Sequence, residues 1–507
     1  MRARGDRVTH PSFGPGTVRA VADGGRKLRV EFDRLPGIPY ILPVEQFEER
    51  QTERSPERPA GATEPAAPAE PRPAPSPEPA PAERAARAAP SDAAPPSPAP
   101  PAPPVRAPAA RSFRADARQL FEALRMGVVP PALLDRYTVE REEEIKRLRN
   151  FLRTGRGILV FQGHYGAGKT HFIELAASEA LKMGFLVSRV SFDPVEVPPS
   201  NPQRVYREVI HNLRYPPNGS EGGLLPLLSF LSRSAAHRRF GSPKFHRYLS
   251  PALFAVGEGD PDVVETVLAF VEGRAETCGA AATRALRFAG WRGPKLLALP
   301  DYRTFGQIYL YVLGGIASWA HDAGHKGLVV LFDEAESMDS LETTSREFAD
   351  TFLRYFAAAT LPESELAFRP STLRRGGQAV HREIPHVYRA DQPLAALFAF
   401  TPLPRVEDAV SAAVGNPRRI VELEPLSLRA LPELAERLRS LYVELHPDLP
   451  LDERGWNGFV RHVESGVRAG ALATTRAVAR LTVEWLDLLR HGRDAANALA
   501  PQGRFSG

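Results

Sequence analysis

Hydrophobic and polar positions along this chain switch between two periods. Ile158-Leu159-Val160-Phe161 is a short apolar run bounded by Gly157 and Gly163. An apolar run of that length beside glycines predicts a buried strand. Residues 169–183 then predict a helix, 186–192 a second buried strand and 202–213 another helix. Two more strand-length apolar runs follow, Leu328-Val329-Val330-Leu331-Phe332 and Ala395-Ala396-Leu397-Phe398-Ala399-Phe400, with a helical stretch at 345–358 between them. Strands separated by helices need crossover connections, so the class is α/β, a parallel sheet with helices on both faces. Helical spacing resumes over 427–444, 451–468 and 474–491.

The first 50 residues keep a different period. Val8, Val18, Val21, Leu28, Val30, Phe32, Tyr40 and Leu42 alternate with polar positions. The alternation is broken at Gly14-Pro15-Gly16, Gly24-Gly25 and Leu35-Pro36-Gly37. This predicts a small curled sheet of about four strands. Residues 51–112 hold 19 of the 50 prolines, in an Ala/Pro-rich stretch. Such a segment buries too little apolar surface to fold and reads as a disordered linker of polyproline type, reaching at most roughly 190 Å. Its other reading is a ligand for proline-reading domains. Residues 113–156 carry helical patterns at 117–126 and 143–152, the latter with Ile145, Leu148 and Phe151 on one face. Residues 214–300 are mixed helical with Gly/Pro breaks and read as an insertion. Residues 361–390 read as a polar loop, and those after 492 as a flexible tail.

At 507 residues the chain is too long for one core. One cysteine, Cys278, excludes a disulfide framework or a cysteine-ligated zinc site, and is expected to be buried or half-buried. No 18-residue uncharged apolar run exists, so no membrane span is expected. The first residues lack the apolar core of a secretion signal, and the expected location is the cytoplasm. A net charge of +5 permits nucleic-acid binding without arguing for it.

The chemistry sits where the apolar runs end. The strand at 158–161 runs into Gly163-His164-Tyr165-Gly166-Ala167-Gly168-Lys169-Thr170 and then a helix, the setting of a phosphate-binding P-loop. Glycines let several backbone N–H groups turn toward one phosphate, and the helix adds its positive N-terminal end. Lys169 is expected to reach the β- and γ-phosphates of ATP, and Thr170 to offer its hydroxyl to Mg²⁺. The run at 328–332 ends in Asp333-Glu334-Ala335-Glu336. Two carboxylates at the C-terminal end of a parallel strand lie in the crevice where such sheets bind ligands. Asp333 is expected to hold Mg²⁺, and Glu334 to orient and polarise the attacking water. Glu336 reads as structural or as a helix N-terminal charge.

Together these features resemble AAA+ P-loop ATPases. Residues 420–427 hold a stretch that resembles the last core strand of that family, which predicts a strand there, and the three closing helices resemble its lid. The resemblance implies further roles. Tyr137 and Val139, in the segment before the P-loop, become candidates for contact with adenine, ordinary packing being the alternative. Thr401 fits sensor 1, with a strand-capping threonine as the alternative. Arg418 and Arg419, in Gly415-Asn416-Pro417-Arg418-Arg419, fit an arginine finger acting in trans within a homo-oligomer, a solvated pair being the alternative. Arg476 suits sensor 2, or is a surface arginine.

Residues 113–491 are similar to the BrxD-type ATP-binding proteins of BREX-like phage-defence islands. The similarity rests on Ala123-Leu124-Arg125, Gly127-Val128-Val129-Pro130, Arg136-Tyr137-Thr138-Val139, Arg141-Glu142, the P-loop, and Gly324-His325-Lys326-Gly327-Leu328 entering Asp333-Glu334-Ala335-Glu336. That family resembles the initiator clade of AAA+ ATPases, and the resemblance implies ATP-dependent action on DNA or a DNA-bound assembly beside a helicase partner. Separately, residues 5–18, from Gly5-Asp6-Arg7-Val8 to Gly16-Thr17-Val18, resemble the Tudor-like, SH3-like barrels of UvrD/PcrA-type helicases and CarD-type factors. In those families the module contacts protein partners, RNA polymerase among them. The alternative functions are a nucleotide-gated switch or scaffold, and a transcription-associated adaptor.

Overall fold

The computed structural model describes residues 6–10, 14–22, 27–33, 39–43 and 113–492, the last apart from 235–239, 241, 243–244, 275–277, 300–301, 374–375, 377–379 and 473. The predicted turns at Gly24-Gly25 and Leu35-Pro36-Gly37, the proline-rich residues 51–112 and the tail after 492 lie outside the described residues. The chain forms two units, Met1–Pro100 and Pro101–Gly507.

In the first unit β1 (Arg7–His10), β2 (Gly14–Ala22), β3 (Lys27–Phe32) and β4 (Pro39–Pro43) pair in that order, each antiparallel to the next. Among the described side chains Val8, Val18, Leu28 and Val30 are buried, as the alternation predicts, whereas Val21 is exposed. Gly14-Pro15-Gly16, expected as a break, is instead the start of β2. Pro15 has no N–H to donate, but its carbonyl accepts from the Asp33 N–H at 3.0 Å.

The second unit is built on a parallel sheet of β5 (Gly157–Gln162), β6 (Leu186–Ser191), β7 (Leu328–Asp333), β8 (Leu394–Phe400) and β9 (Ile420–Glu422) in the order β6-β7-β8-β5-β9. The strand that ends in the carboxylates is therefore separated from the P-loop strand by β8. Side chains alternate between two faces. Leu159, Phe161, Val329, Leu331, Leu397 and Ala399 face the helix Lys169–Lys182 and a group made by Phe113–Arg125, Ala430–Leu445, Glu453–Arg468 and Thr475–Arg490. Ile158, Val160, Val330, Phe332, Ala396 and Phe398 face the helices Pro202–His211, Gly306–Asp322 and Thr343–Thr360. Residues of the helices Leu225–Arg233, Leu249–Glu258, Pro261–Val271 and Gly279–Phe288 join that second core.

The helix Gly306–Asp322 is the main element that the pattern left unmarked. Every residue from Gly306 to Ala320 is buried. A helix apolar all round has no polar face to set a period. A Cβ at Gly314 or Gly315 would overlap Gln392 or His246, so these glycines admit a close approach of side chains to the backbone.

Three smaller expectations are corrected. Cys278 is exposed, because it stands at the N-cap of Gly279–Phe288 rather than on the helix's packed face. Residues 361–390 are not a plain polar loop: they contain the helical turns Glu363–Glu365, Pro370–Thr372 and Val380–Glu383, and His381 is buried there. The strand predicted within 420–427 is only Ile420–Glu422. Among the described residues no helix is long and apolar enough to cross a membrane.

Candidate functional site

The P-loop fills the connection from β5 to the helix Lys169–Lys182. Gly166 and Gly168 have φ of 84° and 93°, a left-handed backbone that suits glycine. At Gly166 a Cβ would also press on Thr474 Cγ2 at 3.0 Å, so the loop passes close beneath the last helix. Gly168 is the N-cap, which leaves Lys169 and Thr170 in the first turn.

Lys169 is nearly buried, and its ammonium has an acceptor for each proton. It donates to Gly163 O at 3.0 Å, Thr401 Oγ1 at 2.9 Å and His164 O at 3.5 Å. Thr401, just past β8, in turn donates its hydroxyl proton to Glu336 Oε1, which lies 3.9 Å from Lys169 Nζ. Asp333 closes β7 at 4 % exposure, and its Oδ1 accepts the Glu334 N–H at 3.0 Å. Glu334 has φ 58° and ψ 35°, a left-handed conformation uncommon outside glycine. That kink takes Glu334 off the line of the strand, leaving its side chain exposed at the cleft. Desolvation, then Glu336 and Asp333, raise its pKa above the usual carboxylate range, while Lys169 and Arg476 pull the other way.

One cleft gathers these groups. Its walls include Tyr165 through Thr170, Glu334 and Glu336 on the sheet side, Tyr137 and Val139 on the preceding loop, and Leu434, Thr474 and Arg476 on the closing helices. Tyr165 is exposed at the cleft, whereas Tyr137 and Val139 are buried. Arg476 lies against Gly127, where a Cβ would stand 3.3 Å from its Cδ. Arg418 and Arg419 are absent from these walls. Arg418 is exposed. Arg419 is held by the Glu365 carboxylate and by Val414 O at 3.2 Å.

Arg141 and His171 are site residues that the motif reading did not assign. The buried Arg141 guanidinium donates to Ala167 O of the P-loop at 3.0 Å and to Glu424 O beyond β9. Its pair with Glu144 at 3.1 Å is local, but these two acceptors lie far off in sequence, so no local pattern marks its place at the P-loop. His171 follows Thr170. Thr138 Oγ1 gives its one proton to Leu134 O at 2.6 Å, so His171 Nε2 is the donor in the 2.8 Å bond to Thr138 Oγ1. Desolvation, and after it the charge of Arg141, push this imidazole down to about 4. The folded value lies below the unfolded one of ~6.5. The stabilisation from keeping His171 neutral is thus complete above about pH 6.5 and is lost as pH falls toward 4. His171→Gln is expected to lower the unfolding temperature less than wild type between about pH 7 and pH 4.5. Equal slopes in a thermal-melt series would count against this account.

The donors fit a hard divalent cation. Asp333 Oδ2 and the Thr170 hydroxyl are oxygen donors of the kind Mg²⁺ takes, usually with waters and substrate phosphates completing its shell. Among the described residues no group of three or more His, Cys, Asp or Glu forms a closed cation site. A metal here therefore relies on phosphate oxygens.

A strand, glycine loop and helix carrying a lysine against paired carboxylates two strands away define a P-loop α/β core. The sequence model of a family described as BREX system ATP-binding protein BrxC/D matches residues 113–233, which span the helix Phe113–Arg125, the P-loop and the helix that follows. No curated protein matches. Among solved structures, a Walker-type ATPase of Pyrococcus abyssi is similar at 12% identity and TM-score 0.35, over 71% of this chain and 70% of that one. The Aeropyrum pernix Orc1 protein, solved in complex with DNA, is similar at 13% identity and TM-score 0.29, over 70% of this chain and 62% of that one.

Proposed function

We propose that this protein is an AAA+ ATPase that couples ATP binding and hydrolysis to remodelling of DNA or of a DNA-bound complex. The observation that carries the proposal is the convergence of Lys169, Glu334 and Arg476 on one cleft between the sheet and the closing helices, with Thr401 bonded to Lys169 behind it. Residues 113–426 are the ATPase core and residues 427–491 its lid. The P-loop from Gly163 to Thr170 cradles the phosphates, and Tyr137 and Val139 border the base. Thr170 and Asp333 hold Mg²⁺, which draws charge from the phosphate oxygens when bound. Glu334 takes a proton from the attacking water. Thr401 and Arg476 bracket the phosphates from the core and the lid. The exposed Arg418 suits a role across a subunit boundary better than Arg419, whose guanidinium is held by Glu365.

The match of residues 113–233 supports a place in a BREX system. Phage defence beside a helicase partner extends that reading through the resemblance of the sequence. The sheet β1–β4 would then close into an SH3-like barrel that recruits a protein partner, RNA polymerase being one class, on the proline-rich tether. The test is ATP turnover by the full chain, alone and with duplex or single-stranded DNA, beside Lys169→Ala. DNA-raised turnover that the substitution removes is the expected result. Tight ATP binding without turnover under every DNA condition would overturn the motor reading and leave a nucleotide-gated switch.

A further inference from the structure

Glu336 was expected to be structural, and it does head the helical turn Ala335–Ser340. Its carboxylate nevertheless projects into the cleft. Oε1 accepts the only proton of the Thr401 hydroxyl and lies 3.9 Å from Lys169 Nζ. Oε2 is buried and has no hydrogen-bond partner. Lys169 is the group expected at the β- and γ-phosphates, and Thr401 brackets the phosphates from the core in the proposed function. One acceptor oxygen within reach of both stands where a γ-phosphate oxygen would accept from them.

We infer that the Glu336 carboxylate is a displaceable occupant of the γ-phosphate position, and that it sets the preference of the cleft between nucleoside triphosphate and diphosphate. The inference rests on the nucleotide reading above. Thr401 has one proton and Lys169 three, and all four are already directed to protein acceptors. A terminal phosphate can accept from Thr401 only after the bond to Glu336 breaks. Two anions cannot share that donor, so the carboxylate must swing away as the phosphate enters. A diphosphate ends one phosphoryl group short and needs from Lys169 only the proton held at 3.5 Å by His164 O, which leaves Thr401 and Glu336 as they are. The charge on Glu336 therefore weakens triphosphate binding selectively. It also makes Thr401 report the γ-phosphate: the hydroxyl changes partner only when that group is present.

The experiment is calorimetric titration of the full chain with a non-hydrolysable ATP analogue and with ADP, each with and without Mg²⁺. Wild type is compared with Glu336→Gln, which keeps the shape and removes the charge, and with Glu336→Ala, which removes the whole carboxylate. Unfolding midpoints establish that both variants fold. The expected result is roughly tenfold tighter binding of the ATP analogue in both variants, with ADP affinity within about threefold of wild type. Equal shifts for the two nucleotides would mean a merely structural role and overturn the inference. Weaker ATP-analogue binding confined to the Mg²⁺ arm would make Glu336 a support of the metal and overturn it as well. If wild type binds neither nucleotide, the nucleotide reading itself falls and takes this inference with it. Binding of both with an unchanged ratio across the variants removes only the inference.

Discussion

Glu334→Gln is expected to lower ATP turnover by about 10³-fold while leaving nucleotide affinity within about threefold, because general-base catalysis contributes on the order of 10²–10⁴. Glutamine keeps the size of the side chain and its ability to hold a water, but it cannot take the proton. The site prepares Glu334 for that proton. Its pKa is raised by desolvation first and then by Glu336 and Asp333. A carboxylate of higher pKa is a stronger base. The acidic limb of the rate profile should accordingly fall above the ordinary carboxylate range, and wild-type rates should decline as pH drops through it. Single-turnover kinetics beside equilibrium binding separate the two quantities. Wild-type turnover in the glutamine variant would remove Glu334 from the role of base, whatever its place in the cleft.

The second large effect concerns the strand that carries these groups. Phe332→Ala is expected to cost about 3–5 kcal/mol, the usual range for emptying a buried aromatic position. Phe332 is fully buried. Its ring stacks on Phe192 at 4.9 Å and on Phe398 at 4.7 Å, and meets Phe356 edge-on at 5.0 Å. These rings tie β7 to β8, to the end of β6 and to the helix Thr343–Thr360. The next residue is Asp333, so a cavity here loosens the peptide that positions both carboxylates. Denaturant midpoints should fall sharply for Phe332→Ala, whereas Phe332→Leu should lose roughly 1.5 kcal/mol or less. A small loss for alanine would show that the aromatic stack adds little.

How much of this was legible in the sequence depended on how local each signal is. The P-loop and the acidic strand could be read because each is a contiguous run with its chemistry at one end. The two-period pattern likewise gave the antiparallel sheet β1–β4 and the parallel core. The helix Gly306–Asp322 gave no signal, since amphipathic period needs a polar face and this helix is buried on every side. Arg141 could be quoted as part of a motif, but its bond to Glu424 O spans 283 positions. Glu336 was read from its position after the strand, as a terminal charge. Its link to Thr401 crosses 65 positions and exists only once β7 and β8 are paired.

Residues 136–140 are fastened to the helix Ala430–Leu445 at two points and to Ser427 just before it at a third. Arg136 pairs with Glu444 at 2.8 Å, Arg437 donates to Thr138 O, and Ser427 N donates to Glu140 at 2.7 Å. Thr138 is also the residue that His171 grips from the P-loop helix. A rotation of the proposed lid must either carry the segment with it or break all three fastenings. If the segment is carried, the linkage would work as a crank, with the lid as its arm and the Thr138–His171 bond as the pin that joins it to the helix after the P-loop.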